Sequence, residues 1–479
     1  MSTIPLRRNF VAGGWVESSG PTLDVVNPAT GRAVARIQDA DQATVDAAVR
    51  AARAALPSWR GTNPHKRAVV LHRIGNAISE DVDTIAVDIT REMGKPLDEA
   101  RGEVRKLAEA FHFYAEETTR VFGYTIPNSQ DGFLSIVEKE PIGVVGAITP
   151  WNYPVELIGW KLAAALGAGC TIIIKPSEYT PSAAVALYET IERAGVPTGV
   201  ANLVLGAGEA GRSLVRHDDL DKIAFTGSTT TGTAIAHSTS VAIPLSMELG
   251  GSCPLVVAQS ADVKDAVAGT LRRGYRNAGQ ICIAINRAYV HRDHYEEYVA
   301  QLGQAVAGLR VGDGLKDPAV DMGPVAIPEI LERATQHVQD AVEKGGRLVA
   351  GGNAYDTRDG NYFAPTVVAD VTSDMLLGHA ETFGPVVGVT PFNHLDEAIA
   401  MANATPSGLA AYVYATSLEE SLRLGKELDF GNVAVNNVDA GIMNAPYGGR
   451  KGSGYGYEHG KEGLEAYLHL KHLRIRYVR

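Results

Sequence analysis

Four short apolar runs decide the fold of this chain: Val144-Val145-Gly146-Ala147-Ile148, Thr171-Ile172-Ile173-Ile174, Asn202-Leu203-Val204-Leu205 and Lys222-Ile223-Ala224-Phe225. Runs of this length are typical of strands buried on both faces of a parallel sheet. The segments between them predict helices near 155–167, 181–194 and 208–216. Strand, helix and strand, repeated in this way, predict a doubly wound α/β sheet of the kind that binds nucleotides.

A second α/β domain is predicted further along the chain. Its strands begin near Leu255-Val256-Val257 and continue at Arg287–Val290, Thr366–Val368, Val386–Thr390 and Val433–Asn436, with helices between them. Before the first sheet, apolar residues at helical spacing predict helices over 41–56, 65–91 and 97–120.

The end of the chain predicts one more strand. Residues 473–478, Leu-Arg-Ile-Arg-Tyr-Val, alternate apolar with mostly basic side chains, as in a strand with one buried face. A strand at a sheet edge invites pairing, so we expect it to form an interface between subunits. The alternative is a strand that packs only on its own subunit.

Length and composition exclude several classes of protein. A chain of 479 residues exceeds the size of a single core, and 45% apolar residues are ordinary for a globular protein. A net charge of -11 argues against nucleic-acid binding. Met1–Asn9 resembles neither a signal peptide nor an anchor, and no apolar run approaches the ~18 residues of a membrane span.

The three cysteines differ in their surroundings. Cys282 lies among small, polar and glycine residues, which suits a nucleophile, whereas Cys170 precedes an apolar strand and fits a packing role. Cys253, beside Pro254, fits either role. The cysteines have no paired spacing and no CxxC, so we expect neither disulfides nor zinc but a reducing cytoplasm.

Two glycine-containing turns compete as the phosphate site of the first sheet. Gly206-Ala207-Gly208-Glu209-Ala210-Gly211 matches G-x-G-x-x-G between a strand and a helix. However, no acidic residue ends a second strand at the usual spacing, and Asp221 precedes its strand. The run from Phe225 to Gly232 also starts a helix, whose N–H groups attract phosphate, and we favour this second site.

Lys175-Pro176-Ser177-Glu178 follows a strand, where doubly wound folds bind their ligands. A carboxylate there accepts hydrogen bonds from ribose hydroxyls and repels a 2′-phosphate. The sequence therefore favours NAD as the cofactor, with NADP possible.

Two polar residues in unusual settings are candidates for catalysis. Glu248 is flanked by apolar residues and followed by two glycines, and burial would raise its pKa into the range of a general base. Asn152 lies between two prolines just past a strand end, where its amide is suited to hold an oxyanion. A helix cap and a simple turn are the respective structural alternatives. The cluster from His291 to Glu297 reads as solvated charge at a helix start, so no metal site is predicted.

These residues resemble the NAD(P)-dependent aldehyde dehydrogenases, and the likeness runs nearly end to end. Its motifs are Asn27-Pro28-Ala29-Thr30-Gly31, Pro150-Trp151-Asn152-Tyr153-Pro154, Lys175-Pro176-Ser177-Glu178, Phe225-Thr226-Gly227-Ser228, Glu248-Leu249-Gly250-Gly251, Gly279-Gln280-Ile281-Cys282 with Arg287, Glu381-Thr382-Phe383-Gly384-Pro385 and Pro446-Tyr447-Gly448-Gly449-Arg450-Lys451-Gly452-Ser453-Gly454.

The resemblance implies an architecture of two doubly wound α/β domains and a small β oligomerisation element. Residues 1–120 and 141–247 would form the Rossmann-like cofactor domain, 248–450 the catalytic domain, and 121–140 with 465–479 the oligomerisation strands. The partners expected are a small aldehyde and further copies of the chain, in a homodimer or homotetramer, with no nucleic acid and no membrane.

The resemblance also implies the chemistry. Cys282 would attack the aldehyde, Asn152 and the Cys282 backbone N–H would hold the oxyanion, and Glu248 would activate water to hydrolyse the thioester. Lys161 and Glu458 would relay the proton. The implied cofactor contacts are Trp151, Lys175, Ser177, Glu178, Gly227, Ser228, Leu249, Glu381 and Phe383.

The substrate is harder to predict. Arg276, six residues before Cys282, resembles the carboxylate-binding arginine of the succinate-semialdehyde branch, but Trp160 stands where that branch has a second arginine. A short semialdehyde is predicted; hydroxyaldehydes such as lactaldehyde or glycolaldehyde, or an aromatic aldehyde stacked on Trp160 and Tyr153, are alternatives. A CoA-acylating enzyme, a cysteine hydrolase without nicotinamide and a non-catalytic relative are also considered, and the intact set of site residues disfavours all three.

Overall fold

The computed structural model describes residues 4–355 and 359–477 of the chain. Residues 1–3, 356–358, 478 and 479 belong to the predicted domains but lie outside the described residues, and 478 is also the last residue of the predicted final strand.

The first sheet has eight strands and confirms the predicted doubly wound fold. Five central strands are parallel, and antiparallel strands complete both edges. Their spatial order is Gly454–Tyr455, Leu245–Glu248, Lys222–Thr226, Val144–Ile148, Thr171–Lys175, Ala201–Leu203, Asn9–Val11 and Gly14–Val16.

The order of these strands reverses at one place. From Val144–Ile148 the chain proceeds outward on one side, and it then returns to add Lys222–Thr226 on the other side. Doubly wound sheets bind their ligands at such a reversal, beyond the carboxyl ends of the strands. The segments that leave the two strands there contain Trp151 and Asn152 on one side and Gly227 and Ser228 on the other.

Helices cover both faces of this sheet and match the predicted positions, with one correction. They are Gln42–Arg60, Pro64–Glu80, Val82–Met93, Leu97–Thr118, Glu156–Ala168, Pro181–Arg193, Gly208–Val215 and Thr229–Ser238. The single helix predicted over 65–91 is wrong, because the chain leaves helical geometry at Asp81. There the carboxylate accepts the Thr190 hydroxyl at 2.6 Å and pairs with Arg193, both on a neighbouring helix.

The second sheet has seven strands, of which six are parallel. Their spatial order is Arg347–Ala350, Thr366–Ala369, Val386–Phe392, Ile285–His291, Cys253–Val257, Ala410–Tyr414 and Asn432–Val435. The helices that follow along this half of the chain are Val263–Gly274, Tyr295–Ala307, Pro328–Glu343, Leu376–His379, Leu395–Asn403, Leu418–Glu427 and Gly460–Glu465.

Three small sheets complete the fold. One joins Leu6–Arg7, Arg32–Gln38 and Thr22–Asn27, another joins Ser407–Gly408 to Arg450–Lys451, and the third joins Leu468–Arg476, Phe133–Pro141 and Tyr124–Ile126. In the third sheet the terminal strand begins earlier than predicted. It pairs along nine residues with Phe133–Pro141 of its own subunit and forms one edge of the sheet.

Candidate active site

A cavity of about 940 Å³ lies beside the loop that carries Cys282. Its lining includes five of the residues predicted to act on the substrate: Cys282, Asn152, Tyr153, Trp160 and Arg276. These residues are up to 130 positions apart in the chain, so the fold brings them together as the sequence predicted.

The loop that carries Cys282 has a strained backbone. Arg276–Gly279 forms a short 3-10 turn in which Asn277 and Ala278 both adopt left-handed φ values of 53°. Gly279 has φ +72°, and a Cβ there would lie 2.1 Å from the Gly384 carbonyl oxygen. Strain of this kind persists where the surrounding structure enforces it, often at functional sites. Contacts from several elements therefore hold Cys282 in place.

The Cys282 thiol is buried among groups that disfavour its ionisation. Burial raises the pKa of the thiol to about 12, and the nearby Glu248 and Glu381 carboxylates raise it further. The Tyr447 hydroxyl lies 3.5 Å from the sulfur and acts in the opposite direction. Cys253 is buried and its S–H donates to the Cys282 carbonyl at 3.3 Å, so Cys253 supports the loop. Cys170 is fully buried in the first core, as its apolar context predicted.

Asn152 is held by its backbone carbonyl and by its side chain. The Lys95 ammonium and the Asn277 amide donate to its carbonyl oxygen at 2.8 and 3.0 Å. Its own amide donates to the Gln280 carbonyl at 3.0 Å, which ties this turn to the nucleophile loop. Its side-chain oxygen is buried without a partner among the described residues.

Glu248 ends its strand beside Lys161 and Glu458. The Lys161 ammonium pairs with Glu458 and donates to the Thr226 hydroxyl at 2.6 Å. One carboxylate oxygen of Glu248 and one of Glu458 are buried with no partner in the described structure. Burial raises the pKa of Glu248 well above its usual value, the Glu458 charge raises it further, and Lys161 opposes them. A carboxylate in this state has a strong tendency to take up a proton.

The predicted cofactor residues lie at the carboxyl ends of the first sheet. Lys175 ends its strand and pairs with Glu178 at 3.5 Å, next to Ser177. Ser228 caps the helix Thr229–Ser238 by accepting the Thr231 N–H at 3.2 Å.

Close packing shapes the rest of this crevice. A Cβ at Gly227 would lie 2.5 Å from the Phe225 ring, so only glycine fits there. The crevice thus offers a carboxylate and an ammonium at one strand end and a helix start at the other, which fits the ribose and phosphate groups of a dinucleotide.

The second sheet contributes Glu381 and Phe383 to the same crevice. The Gly251 N–H donates to the Glu381 carboxylate at 3.1 Å, and burial raises the pKa of that carboxyl to about 7. A Cβ at Gly250 would lie 2.7 Å from the same carboxylate. Phe383 has a left-handed φ of 55° and meets the Trp151 ring edge to face at 5.6 Å.

Leu249 joins the loop after Glu248 to the glycine-rich motif near the chain end. Its backbone N–H donates to the Ser453 carbonyl at 2.9 Å, and the Ser453 hydroxyl donates to the Gly250 carbonyl at 2.8 Å. A Cβ at Gly232 would lie 2.4 Å from the Leu249 side chain. Ser453 thus supports this loop although no role was predicted for it.

A carboxylate already occupies the helix start of the alternative glycine motif, residues 206–211. The Asp39 carboxylate accepts the Ala207 N–H at 2.9 Å, and a Cβ at Gly206 would lie 2.3 Å from the same oxygen. A carboxylate in this place repels a phosphate. This contact supports the predicted preference for Gly227 and Ser228.

Two of the predicted substrate residues make contacts that the sequence did not predict. Arg276 pairs with Glu99 at 3.7 Å, so its charge is partly compensated. The Lys95 ammonium lies 3.6 Å from the centre of the Tyr153 ring, so this face of the ring is covered and does not stack on a substrate. Trp160 lies against His459, with ring centres 4.1 Å apart.

Several site residues were missed by sequence reasoning. Arg273 lines the same cavity, is three residues before Arg276 and pairs with Asp439 at 3.2 Å. The sequence signal for Arg273 was its distance of three positions from Arg276, a spacing that places two side chains on the same face of a helix. Tyr447 lay within a recognised motif without an assigned role, and Lys95 had no distinguishing context.

Metal and membrane features can be assessed over 4–355 and 359–477. In this part of the chain no three His, Cys, Asp or Glu side chains gather as metal ligands would, and His291 instead contacts the Asn393 carbonyl at 3.1 Å. Within the same residues, every helix is too short or too polar to cross a membrane.

The two parallel sheets, the dinucleotide crevice and the half-buried Cys282 beside the buried Glu248 carboxylate define a nucleotide-dependent oxidoreductase. Residues 15–473 match the model of the aldehyde dehydrogenase family, and the chain belongs to this family. It is therefore an NAD(P)-dependent aldehyde dehydrogenase, which confirms the enzyme class and the cofactor class expected from the sequence.

Known relatives cover nearly the whole chain. Succinate-semialdehyde dehydrogenase [NADP(+)] of Escherichia coli is 42% identical over 469 residues, which are 97% of each protein. The 3-sulfolactaldehyde dehydrogenase of Pseudomonas putida is 41% identical over 97% of this chain and 96% of its own. The structure of lactaldehyde dehydrogenase from E. coli superposes with a TM-score of 0.97 at 35% identity, covering 99% of this chain and 100% of the other.

Proposed function

We propose that this enzyme oxidises a short aldehyde that carries a carboxylate, in the manner of a semialdehyde, to the dicarboxylic acid. The observation that carries this proposal is that Arg276 and Arg273 line the cavity that contains Cys282. The buried Nε–H of each arginine makes no hydrogen bond among the described residues, although that of Arg276 lies 3.7 Å from the Glu99 carboxylate. Arginine binds carboxylates through paired N–H groups, and a substrate carboxylate would supply the missing acceptors.

The roles of the site residues follow from their placement. Cys282 attacks the aldehyde carbon, while the Asn152 amide and the Cys282 backbone N–H hold the oxygen as its charge develops. Glu248 takes a proton from the water that later cleaves the thioester. Lys161 and Glu458 carry this proton onward, since Glu458 has a free buried oxygen facing the same cluster.

The cofactor is held by this chain at two strand ends and across the crevice. Glu178 with Lys175 and Ser177 would bind the adenosine ribose, Gly227 and Ser228 the phosphates, and Glu381 the nicotinamide ribose, with Trp151, Leu249 and Phe383 packed alongside. When bound, the oxidised nicotinamide accepts a hydride from the substrate carbon. The Glu178 carboxylate repels a 2′-phosphate and therefore favours NAD. The Lys175 ammonium, which pairs with Glu178 at 3.5 Å, would attract that phosphate and therefore admits NADP.

A hydroxyaldehyde is the second candidate substrate. Trp160 stands in place of a second arginine and lies against His459, so this wall of the cavity is aromatic. Burial lowers the pKa of His459 to about 3, so its ring adds no positive charge. Relatives named for lactaldehyde and 3-sulfolactaldehyde support this alternative.

A panel of aldehydes tests the substrate class. Rates of nicotinamide reduction would be compared for succinate semialdehyde, glutarate semialdehyde, lactaldehyde, benzaldehyde and propanal. We expect Arg276→Ala to raise KM for succinate semialdehyde by about 10- to 100-fold, because a hydrogen bond to a charged group contributes roughly 1.5–3 kcal/mol. KM for propanal should change little.

Arg101→Ala is the matched control, because Arg101 pairs with Asp83 and Asp98 and is not part of the cavity lining. Equal effects of Arg276→Ala on both aldehydes would rule out the carboxylate pocket. No turnover of any aldehyde by the wild-type protein, with either NAD or NADP, would contradict the assigned chemistry.

We also propose that the chain forms a homodimer or homotetramer in the cytoplasm, with the domain division predicted from the sequence. The terminal strand is a sheet edge, and Leu470, Ile475 and Tyr124 are about half exposed or more on this small sheet. A second copy that covers them would remove apolar surface from water. The three free cysteines are consistent with a reducing compartment.

A further inference from the structure

Tyr447 places a hydroxyl beside the reacting sulfur. Its oxygen lies 3.5 Å from the Cys282 Sγ, which is within hydrogen-bonding range for the large sulfur atom. Tyr447 itself is 3% exposed, so its hydroxyl is largely shielded from solvent on the protein side. The two residues are 165 positions apart in the chain, and only the fold brings them together.

The backbone and its neighbours hold the Tyr447 ring in this position. Tyr447 and Glu458 exchange two backbone hydrogen bonds, each of 2.7 Å. The ring centre lies 5.7 Å from that of Trp160 and 5.3 Å from that of His459. A Cβ at Gly441 would lie 3.1 Å from the ring, so this side is filled as well. The hydroxyl is therefore aimed at the sulfur before any substrate binds.

The electrostatics of the pocket give this hydroxyl a specific role. Burial and the Glu248 and Glu381 carboxylates raise the pKa of Cys282, whereas the hydrogen bond from Tyr447 and, after it, the charge of Arg273 lower it. Burial and the nearby Cys282 sulfur and Glu248 also raise the pKa of Tyr447 well above its usual value. Tyr447 thus keeps its proton, and toward a thiolate it acts only as a donor.

We propose that Tyr447 is a catalytic residue whose O–H donates to the Cys282 thiolate and stabilises it both as nucleophile and as leaving group. This inference rests on the proposed chemistry of Cys282. A charge-assisted hydrogen bond is about twice as strong as a neutral one, so the contact strengthens when the sulfur becomes negative.

Glu248 accepts the thiol proton and passes it on through Lys161 and Glu458, which frees the carboxylate again, while the sulfur lone pair forms a C–S bond to the aldehyde carbon and the carbonyl π electrons move to oxygen. With the oxidised nicotinamide bound, the C–H electron pair would leave as hydride to that ring, and a thioester to Cys282 would remain. Water adds to the thioester and loses a proton to Glu248, and the C–S bond breaks to return the electron pair to sulfur. The Tyr447 O–H bond stays intact throughout and donates to sulfur at the first and last steps.

The test measures the ionisation of Cys282 directly, without turnover. The rate of alkylation of Cys282 by iodoacetamide would be followed against pH by mass spectrometry of its peptide. Tyr447→Phe removes only the hydroxyl and keeps the packed ring. We expect it to raise the apparent pKa of Cys282 by about one unit and to lower kcat/KM about tenfold at neutral pH, the effect of one hydrogen bond to a charged group.

Tyr188→Phe is the matched control, because the Tyr188 hydroxyl is equally buried but donates to the Asn202 carbonyl at 2.8 Å, away from Cys282. It should leave the alkylation profile unchanged. A second variant moves the pKa in the other direction: 2,3-difluorotyrosine at position 447 keeps the ring and makes the hydroxyl a stronger donor, so the Cys282 pKa should fall below the wild-type value.

An alkylation profile that is the same in Tyr447→Phe and the wild-type protein would overturn the proposal, as would a difluorotyrosine variant with a raised Cys282 pKa. These results are distinct from failure of the proposed function. An enzyme that oxidises none of the aldehydes would refute the substrate proposal, whereas the alkylation profile would still report on Tyr447.

Discussion

Two buried lysine–glutamate pairs lie on either side of the active site, and they differ in how completely their hydrogen bonds are made. Lys95 pairs with Glu103 at 2.6 Å, with both side chains fully buried. Lys161 pairs with Glu458 near Glu248, also with little exposure. The same two residue types thus occur twice in one protein in similar surroundings.

The first pair is fully satisfied. One Glu103 oxygen accepts Lys95, and the other accepts the backbone N–H groups of Val155 and Glu156 at 3.0 and 3.2 Å. Lys95 also donates to the Asn152 carbonyl. A network with every group paired rigidifies the chain around it, so this pair supports the turn that presents Asn152.

The second pair is incomplete. Glu458 and Glu248 each keep a buried oxygen without a partner among the described residues, and Glu248 has its pKa raised by burial. Unpaired buried oxygens are costly for stability, but they are available for a proton or a water molecule. The comparison indicates that a satisfied ion pair belongs to the scaffold and that an unsatisfied one belongs to the chemistry.

The largest expected effect concerns the incomplete cluster. Glu248→Gln should lower the steady-state kcat by about 10²- to 10⁴-fold, the usual contribution of a general base. The first turnover, in which Glu248 also accepts the thiol proton, should slow as well, and hydrolysis of the thioester should follow more slowly still. Stopped-flow absorbance of the reduced nicotinamide measures both phases. Unchanged kcat would contradict the assignment of Glu248 as the base.

The next effect concerns the satisfied pair. Lys95→Met leaves Glu103 buried without its cation and should lower the free energy of unfolding by about 3–5 kcal/mol, as for other broken buried pairs. Lys95→Met combined with Glu103→Gln should recover much of this loss, because the glutamine oxygen still accepts the two backbone N–H groups. Urea unfolding measures both.

Arg36→Met provides the control for Lys95→Met. Arg36 pairs with Asp24 at 2.8 Å, but both side chains are about half exposed, and exposed pairs contribute about 0–1 kcal/mol. A similar loss of stability from Arg36→Met and Lys95→Met would contradict the structural role inferred for the buried pair.

The smallest effect concerns a buried acid outside both pairs. Burial raises the pKa of Glu92 from 4.5 to about 8, although its carboxylate accepts the Ser182 N–H at 2.8 Å. The unfolded chain loses this proton at lower pH than the folded chain does. Stability should therefore fall as pH rises from about 4.5 to 8, by at most ~1.4 kcal/mol per pH unit from this group.

Glu92→Gln should flatten this pH dependence, since an amide does not titrate. The difference in unfolding free energy between wild type and variant, measured by urea unfolding at several pH values, isolates the contribution of Glu92 from that of other buried acids. A difference that stays constant over this range would show that Glu92 has an ordinary pKa in the folded protein.

Much of the fold could be predicted from the sequence, because local patterns report local structure. Apolar runs marked the parallel strands, and the helical spacing of apolar residues marked the helices. The single helix predicted over 65–91 was wrong at Asp81 for a non-local reason, since the break is stabilised by Thr190 and Arg193 more than a hundred residues away.

The site was predicted in part. Cys282, Arg276, Asn152, Trp160 and Tyr153 share one cavity as expected. Arg273, Lys95 and Tyr447 were missed because their roles depend on contacts across the fold. The stacking role suggested for Tyr153 stays a prediction, and Lys95 covers one face of its ring.

The sequence by itself determined the order of strands and helices and the strand ends that carry the candidate chemical groups. Both follow from hydrophobic periodicity and from turn residues, which act over a few positions in the chain. The tertiary structure decided which buried charges are paired, which oxygens remain free and which hydroxyl reaches the Cys282 sulfur. These properties depend on desolvation and distance, which arise only when remote segments pack together.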